Sequence, residues 1–372
     1  MKNVIANTDW FLLGSAIAIS LLGLITMYGF GDDSQFSSRQ LIWLSLGVFV
    51  FFFASTIDFR FLRRTSVVVF VYSIAIFLLL LLFSIGSVFQ GSSRWIDFGF
   101  FALQPAEVAK LALIILLAKY FSRRHIEIAH FRHIIVSGAY ALIIFVLLFL
   151  QPDFGSGLII LGLWGGVILI SGIPPKRLVV LVGIGLIAAS FLWFFGLADY
   201  QKARVVSFLH PLADIQGAGY NAFQSTVAVG SGGILGKGIG YGTQSRLQFL
   251  PEYQTDFIFA AFAEEWGMGG AILLLAFFAV IFWRIAENAR IGATNFETLF
   301  ILGVGVLILI HVSVHVGMNV GLLPITGTTL PFMSYGGSHM LVGYLSLGII
   351  NAMRRYSRVV HEDEKHEVVG IS

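Results

Sequence analysis

The stretch that decides the reading runs from Asp199 to Phe262. It contains DYQKARVVSFLHP (199–211), GAGYNAFQS (217–225), GSGGILGKG (230–238) and GTQSRLQFLPEYQTDFIFAAF (242–262). It is the long polar segment between apolar runs, and it carries Lys202, Arg204, Lys237, Arg246, Glu252 and Asp256. A connection of about 60 residues is too long for a spacer, and loops of that length are usually functional or disordered. Tyr, Phe, Leu and Val recur through it, so it has the composition to pack. The segment reads as the chemical part of a membrane protein, with the remaining chain as its scaffold.

The composition supports that division. Of 372 residues, 57% are hydrophobic and 12% charged, against about 25% charged in soluble domains. The surface must therefore face lipid. The absence of cysteine excludes disulfides and thiolate metal sites. A net charge of +3 is no nucleic-acid signature, because the basic residues are sorted by membrane side. Only Lys2 precedes the first apolar run and no small-residue cleavage site follows it, which reads as a retained first span rather than a signal peptide.

A spanning helix needs about 20 apolar residues. The runs that qualify are Trp10–Phe30, Gln40–Ile57, Ser66–Phe83, Pro105–Tyr120, Ile134–Leu150, Phe154–Gly172, Leu178–Leu197, Phe257–Trp283, Glu297–Leu322 and Gly336–Met353. The expected fold is an all-α integral membrane protein: one domain over 1–372, a bundle of ten transmembrane helices, with a large extracytoplasmic loop (198–256) between helices 7 and 8. An even count puts both termini on one side. Sixteen Lys and Arg fall on the side of the termini and six on the other, with Lys110 inside a span. The positive-inside rule makes the termini cytoplasmic and the long loop external.

Several polar residues stand where apolar ones are expected. Glu107 and Lys110 lie three apart just inside the fourth span, on one helical face. A charge within the membrane costs at least ~2.5–3.5 kcal/mol, so it faces the bundle interior and is either functional or self-neutralised. Arg94 and Asp97 precede them in a loop, where local pairing and substrate contact are both open. Asp153, in QPDFGSG, suits a cap on the sixth helix or a pair with Lys110. His311 and His315 are spaced for two imidazoles on one helix face, but no third ligand lies nearby, so they read as buried, hydrogen-bonded histidines. The glycines around Lys237 suggest a backbone nest for phosphate or simply a turn, and PFMSYGGS (331–338) offers a small-residue approach for a headgroup. Asp256 directly precedes an apolar run, which places it at a helix N-terminus where the dipole favours a carboxylate. It is either a plain cap or a carboxylate at the lipid–water boundary. Glu264 and Glu265 follow two turns inside, where at least one must face inward.

Taken together and in order, QPAEVAK, QPDFGSG, GAGYNAFQSTVAVGSGG, FLPEYQTDFIFA, AEE and LPFMSYGGS resemble the SEDS family of shape, elongation, division and sporulation proteins. GKG followed by GTQSRLQFLPE is closer to its RodA branch than to FtsW. The resemblance covers essentially the whole chain. It implies a peptidoglycan glycosyltransferase of the bacterial cytoplasmic membrane that polymerises lipid II for cell elongation and rod shape. It also implies a class B penicillin-binding protein as transpeptidase partner, alongside other elongation-complex membrane proteins. The family's essential aspartate falls on Asp256, its paired Glu and Lys on Glu107 and Lys110, and its Q-P-D aspartate on Asp153. The remaining substrate or cavity residues expected are Arg204, Lys237, Ser245, Arg246, Glu252, Thr255 and Ser334. Two positions depart from the family pattern: Gln254 stands where His is common, and His315 where Asn is common.

The implied chemistry needs little machinery. An α-linked diphosphate donor and a β-1,4-linked product require one inversion, and so one base for the incoming 4-hydroxyl. Glycosidases need a second carboxyl group to protonate a poor leaving oxygen, whereas a diphosphate leaves once its charge is neutralised. Asp256 suits the base, with Arg204, Lys237 and Arg246 holding donor diphosphate. A divalent cation (Mg or Mn) bridging the phosphates agrees with the family, although no ligand cluster in the sequence marks a site for it. The alternatives are a lipid II flippase or transporter, which would more often show paired repeats with broken helices, and a non-catalytic scaffold.

Overall fold

Lipid offers the backbone no hydrogen-bond partner, so an apolar run within it coils into a helix. Each of the ten apolar runs does so in the computed structural model, which describes residues 6–29, 34–85, 87–89, 92–99, 102–123, 131–172, 175–209, 219–247 and 249–369. The helices are α1 (Trp10–Gly29), α2 (Ser34–Thr56), α3 (Thr65–Ile85), α4 (Pro105–Ser122), α5 (Phe131–Leu150), α6 (Phe154–Ile170) and α7 (Pro175–Phe191, continued by a π-turn over Leu192–Gly196). Within the long polar stretch come α8 (Asp199–Leu209), α9 (Tyr220–Ser231) and the single turn α10 (Thr243–Arg246), followed by α11 (Ile258–Arg290), α12 (Asn295–Asn319) and α13 (Gly337–Val369). Six of these, α1, α2, α3, α5, α11 and α12, are long and apolar enough to cross a membrane. The other apolar helices differ for visible reasons. α4 carries Glu107, Lys110 and Lys119, α6 and α7 have 17 residues each, and α13 runs on into HEDEKHEVV.

The architecture is that of a helical multi-span membrane protein, with one small departure from an all-α fold. Between α3 and α4 an antiparallel sheet forms in the order β1 (Ser87–Phe89), β2 (Ser92–Asp97), β3 (Ala102–Leu103). Trp95 pairs with Ser87, and Ile96 with Leu103. The pairings tie Arg94, on β2, into this sheet.

The core is organised on α4, which is buried on nearly every residue from Pro105 to Phe121. Such a helix belongs in the middle of a bundle; α3, α12, α5 and α13 pack around it. Large side chains such as Phe49, Phe70 and Phe77 remain exposed on the outer helices, as a lipid-facing surface requires.

α11 is not continuous. Gly267 takes φ +66 and ψ −167 and breaks it. The backbone groups released by the break are met by the GSGGILGKG loop. Lys237 and Gly238 N–H donate to the Glu264 and Glu265 carbonyls, both at 3.0 Å, while Met268 and Gly269 N–H donate to Gly233 O (2.9 Å) and Ile234 O (3.1 Å). A Cβ on Gly267 would stand 2.3 Å from Gly236 N, so close approach demands glycine here. The loop glycines therefore complete a broken helix. The N–H groups of Lys237 and Gly238 point at helix carbonyls, which leaves them unsuited to a phosphate nest.

The opposite end of the bundle is held by buried ion pairs. Arg284 grips Asp9 through Nε (3.0 Å to each carboxylate oxygen) and Nη2 (2.9 Å to Oδ2). Arg354 Nη1 lies 3.0 Å from Asp9 Oδ2, and Asn288 Nδ2 donates to it at 2.9 Å. Burial pushes the Asp9 carboxyl up, but these hydrogen bonds and charges outweigh it and hold the group below its ordinary value of 3.8.

Candidate functional site

FLPEYQTDF folds into tight turns ahead of α11. Glu252 sits in the left-handed region at φ +50, which aims its carbonyl at the N–H groups of Thr255 (3.1 Å), Asp256 (3.0 Å) and Phe257 (3.3 Å). The Thr255 hydroxyl and the Gln254 amide reach Glu252 Oε2 at 3.2 and 3.4 Å. Ser334 stitches LPFMSYGGS to this turn: its hydroxyl donates to Thr255 O (2.9 Å) and accepts the Leu330 N–H (2.8 Å). Tyr335 N–H adds a bond to Gln254 O at 2.9 Å. Glu252, Thr255, Ser334 and Asp256 therefore belong to one folded unit.

Asp256 is half-buried, and it does not cap α11. The helix begins at Ile258 with Phe257 in the N-cap position and no side-chain cap bond. The Phe257 carbonyl already opens the helix by accepting Ala261 N–H at 3.0 Å, so Asp256 comes one residue too early. Its carboxylate lies instead beside Gly327. The position of a Cβ on Gly327 is 3.3 Å from Asp256 Oδ2 and 3.8 Å from Arg94 Nη1, and Gly327 takes φ +68. Both the backbone and the space there favour glycine.

Arg94 extends from β2 to the Pro152–Asp153 turn. Its Nη2 donates to Pro152 O at 3.0 Å, and its Nε lies 3.7 Å from Asp153 Oδ1. Asp153 caps α6 by accepting Ser156 N–H at 3.3 Å. The cap holds, and the pair with Lys110 does not form, because Lys110 is engaged elsewhere. Its Nζ is 2.6 Å from Glu107 Oε1 and 3.1 Å from His311 Nε2. His311 Nδ1 bonds Thr329 O (3.1 Å) and His315 Nδ1 bonds Thr328 O (2.7 Å), so both histidines are buried and hydrogen-bonded.

A crevice opens beside this pair, lined by Glu107, His311 and His339 with an apolar wall that includes Ile308, Phe332 and Val342. His339 Nδ1 lies 3.2 Å from Glu107 Oε2, close enough for a charge contact but out of line for a hydrogen bond. The segment Thr326–Leu330 joins the two groups. It bonds His311 and His315 through its carbonyls, and it places Gly327 against Asp256.

The remaining expected residues lie around the broken helix. Lys237 Nζ is 2.6 Å from Glu264 Oε1 and 2.9 Å from Thr243 Oγ1, so its charge is already matched. Glu264, fully buried, also accepts Thr243 N–H (2.9 Å) and Gln244 N–H (3.1 Å to Oε2). Glu265 is buried as well and accepts Gly240 N–H at 3.0 Å. Ser245 is buried, its hydroxyl 3.4 Å from Gly242 O, while Arg246 is exposed at the end of α10. Arg204 lies on α8; its side chain falls outside the described residues. Among the described residues, no group of three or more His, Asp and Glu could hold a metal ion.

Reading residue types missed His339, Gly327 and Asn319. His339 follows a Gly-Gly-Ser run with no periodic signal, and Gly327 is one of 41 glycines. Asn319 is a single polar residue at the end of an apolar helix, where a stop two residues later at Gly321 was the only hint.

A half-buried carboxylate at one end of a lipid-facing helical bundle defines a membrane protein built for polar chemistry at its boundary. The chain belongs to the FtsW/RodA/SpoVE family of cell cycle proteins, whose profile matches residues 2–359. It is 36% identical to Stage V sporulation protein E of Bacillus subtilis (strain 168), covering 95% of this chain and 98% of that protein. It is 34% identical to peptidoglycan glycosyltransferase MrdB of Escherichia coli (strain K12), covering 89% and 88%. Among solved structures, the rod shape determining protein RodA of Thermus thermophilus superposes with TM-score 0.70 at 27% identity, over 94% of this chain and 97% of that one. A chain from a peptidoglycan synthase complex, described as coordinating polymerization and crosslinking, gives TM-score 0.81 at 29% identity, over 94% and 98%.

Proposed function

We propose that this chain, by homology a peptidoglycan glycosyltransferase, polymerises lipid II by an inverting transfer at the membrane boundary, with Asp256 as the base. The observation that carries this reading is the placement of Asp256: a half-buried carboxylate, not used as a helix cap, set against Gly327. Asp256 takes the proton of the incoming 4-hydroxyl as its oxygen attacks the donor's anomeric carbon. The bond from that carbon to the diphosphate breaks, and the diphosphate leaves with the electron pair. Inversion turns the α linkage into β-1,4. Arg94, Arg246 and Arg204 are the cations we assign to the leaving charge. Lys237 is better read as the partner of Glu264, and Glu107 with Lys110 as the floor of the neighbouring crevice.

The proposal extends to setting. All ten apolar helices cross the bilayer, with both termini cytoplasmic and the 198–256 segment external. The arginines gathered at the end holding Asp9 support that orientation, as does the excess of basic residues on that side. A role in elongation, beside a class B penicillin-binding protein, is favoured by GKG and GTQSRLQFLPE. The test is purified protein mixed with lipid II in vesicles without ATP. Glycan polymer is the expected result. Transbilayer movement of lipid II without polymer would make the chain a transporter.

A further inference from the structure

α11 starts without a cap of its own. The third residue of the helix, Ala260, nevertheless has its N–H satisfied, by Asn319 Oδ1 at 3.2 Å. Asn319 is the last residue of α12 and is fully buried. Its Nδ2 donates to Asp256 O at 3.1 Å and to His315 O at 2.8 Å. A backbone donor on one side and a backbone carbonyl on the other leave the amide only one orientation. Ser225, on α9, holds it there: its hydroxyl lies 2.9 Å from Asn319 O and 3.3 Å from Asn319 Oδ1.

We infer that Asn319 is a positioning residue for the Asp256 carboxylate, acting through the backbone on either side of it; this rests on Asp256 being the base. An ordinary N-cap supplies one acceptor to the helix. Asn319 supplies that acceptor from another helix and adds a donor to the carbonyl of Asp256 itself. The turn at Glu252 holds the Asp256 N–H, and Asn319 holds its carbonyl, so both peptide groups of the residue are fixed. Only a planar amide carries donor and acceptor at this reach: Asp lacks the donor, Ser is too short, and Leu has neither.

The experiment measures lipid II polymerisation by the purified full-length protein, separating kcat from KM, with melting temperature beside it. Asn319→Asp keeps size and acceptor and removes the donor. A misplacement of about 1 Å can cost ~10²-fold, so its kcat should fall about 10–100-fold, with KM within about threefold of wild type. Ser225→Ala, which only loosens the amide, should lower kcat by a smaller factor, again with KM little changed. Combined with Asp256→Asn, Asn319→Asp should add no further loss, because there is no base left to place. Wild-type kcat in folded Asn319→Asp overturns the inference, as does a loss that multiplies with that of Asp256→Asn. Should Asn319→Asp fail to fold, an unchanged kcat in Ser225→Ala overturns it instead. If Asp256→Asn alone polymerises at the wild-type rate, the base assignment fails, and that result is separate from anything read at Asn319.

Discussion

Asp9 and Asp256 are both aspartates just ahead of a long apolar helix, and they are held by different atoms. At Asp9 the carboxylate is the anchor, gripped by Arg284, Asn288 and Arg354. At Asp256 the anchor is the backbone, its N–H on Glu252 and its carbonyl on Asn319. An acid whose charge holds the fold together has little left for chemistry. One whose peptide groups are fixed by other residues does not need its charge to hold the backbone in place. Composition and position relative to the helix do not separate the two; the hydrogen bonds do.

The comparison breaks most readily at Asp256. Asp256→Asn removes a base, and base assistance contributes roughly 10²–10⁴-fold, so polymerisation should fall by about that factor. Melting should hardly move, since the side chain caps nothing. A large drop in melting temperature would put Asp256 in the same class as Asp9.

Lys110 tests an acid of a third kind, inside the bundle. Lys110→Ala leaves Glu107 buried without its ammonium partner, and stranding one member of a buried pair costs roughly 3–5 kcal/mol. Early melting and poor expression are expected, with activity lost as a consequence. A variant that melts like wild type yet makes no polymer would place Lys110 on the substrate.

The smallest effect is a pH dependence at Asp9. Its pKa is depressed on folding, so its stabilisation is complete above its unfolded value near ~3.9 and disappears as pH falls through the lower folded value. Comparing the melting of wild type and Asp9→Asn from neutrality downward, the gap should stay constant to about pH 4 and close below it. A gap that narrows already near pH 6 would mean the Arg284–Asp9 contact is not what stabilises this end.

Much of this was legible beforehand because it depends on local pattern. The apolar runs mark their own helices, although some helices run on beyond their runs, to Arg290 past Trp283 and to Val369 past Met353. The Glu107–Lys110 pair follows from helical spacing alone, and the cap at Asp153 from its place before an apolar run. What was not legible depends on partners far apart in the chain. The same positional rule that holds at Asp153 fails at Asp256, because the carbonyl of Glu252 turns the chain one residue later. Lys237 looked like an open cation, but its partner Glu264 lies a loop and a helix start away. The strands at 87–103 carry no alternation long enough to betray them, and Arg94 gains its meaning only through β2.

The break at Gly267 also bears on how the chain enters the membrane. A 33-residue helix at ~1.5 Å per residue would measure about 50 Å, well beyond the ~30 Å hydrocarbon layer. Gly267 divides it into a short leading piece and a second piece with the length of one crossing. Uncovered, the groups at the break would be costly in lipid. The loop that covers them, residues 233–238, is synthesised before the helix that needs it. The segment that seals the break therefore precedes it in the chain, and sealing it needs no residue from beyond the helix itself.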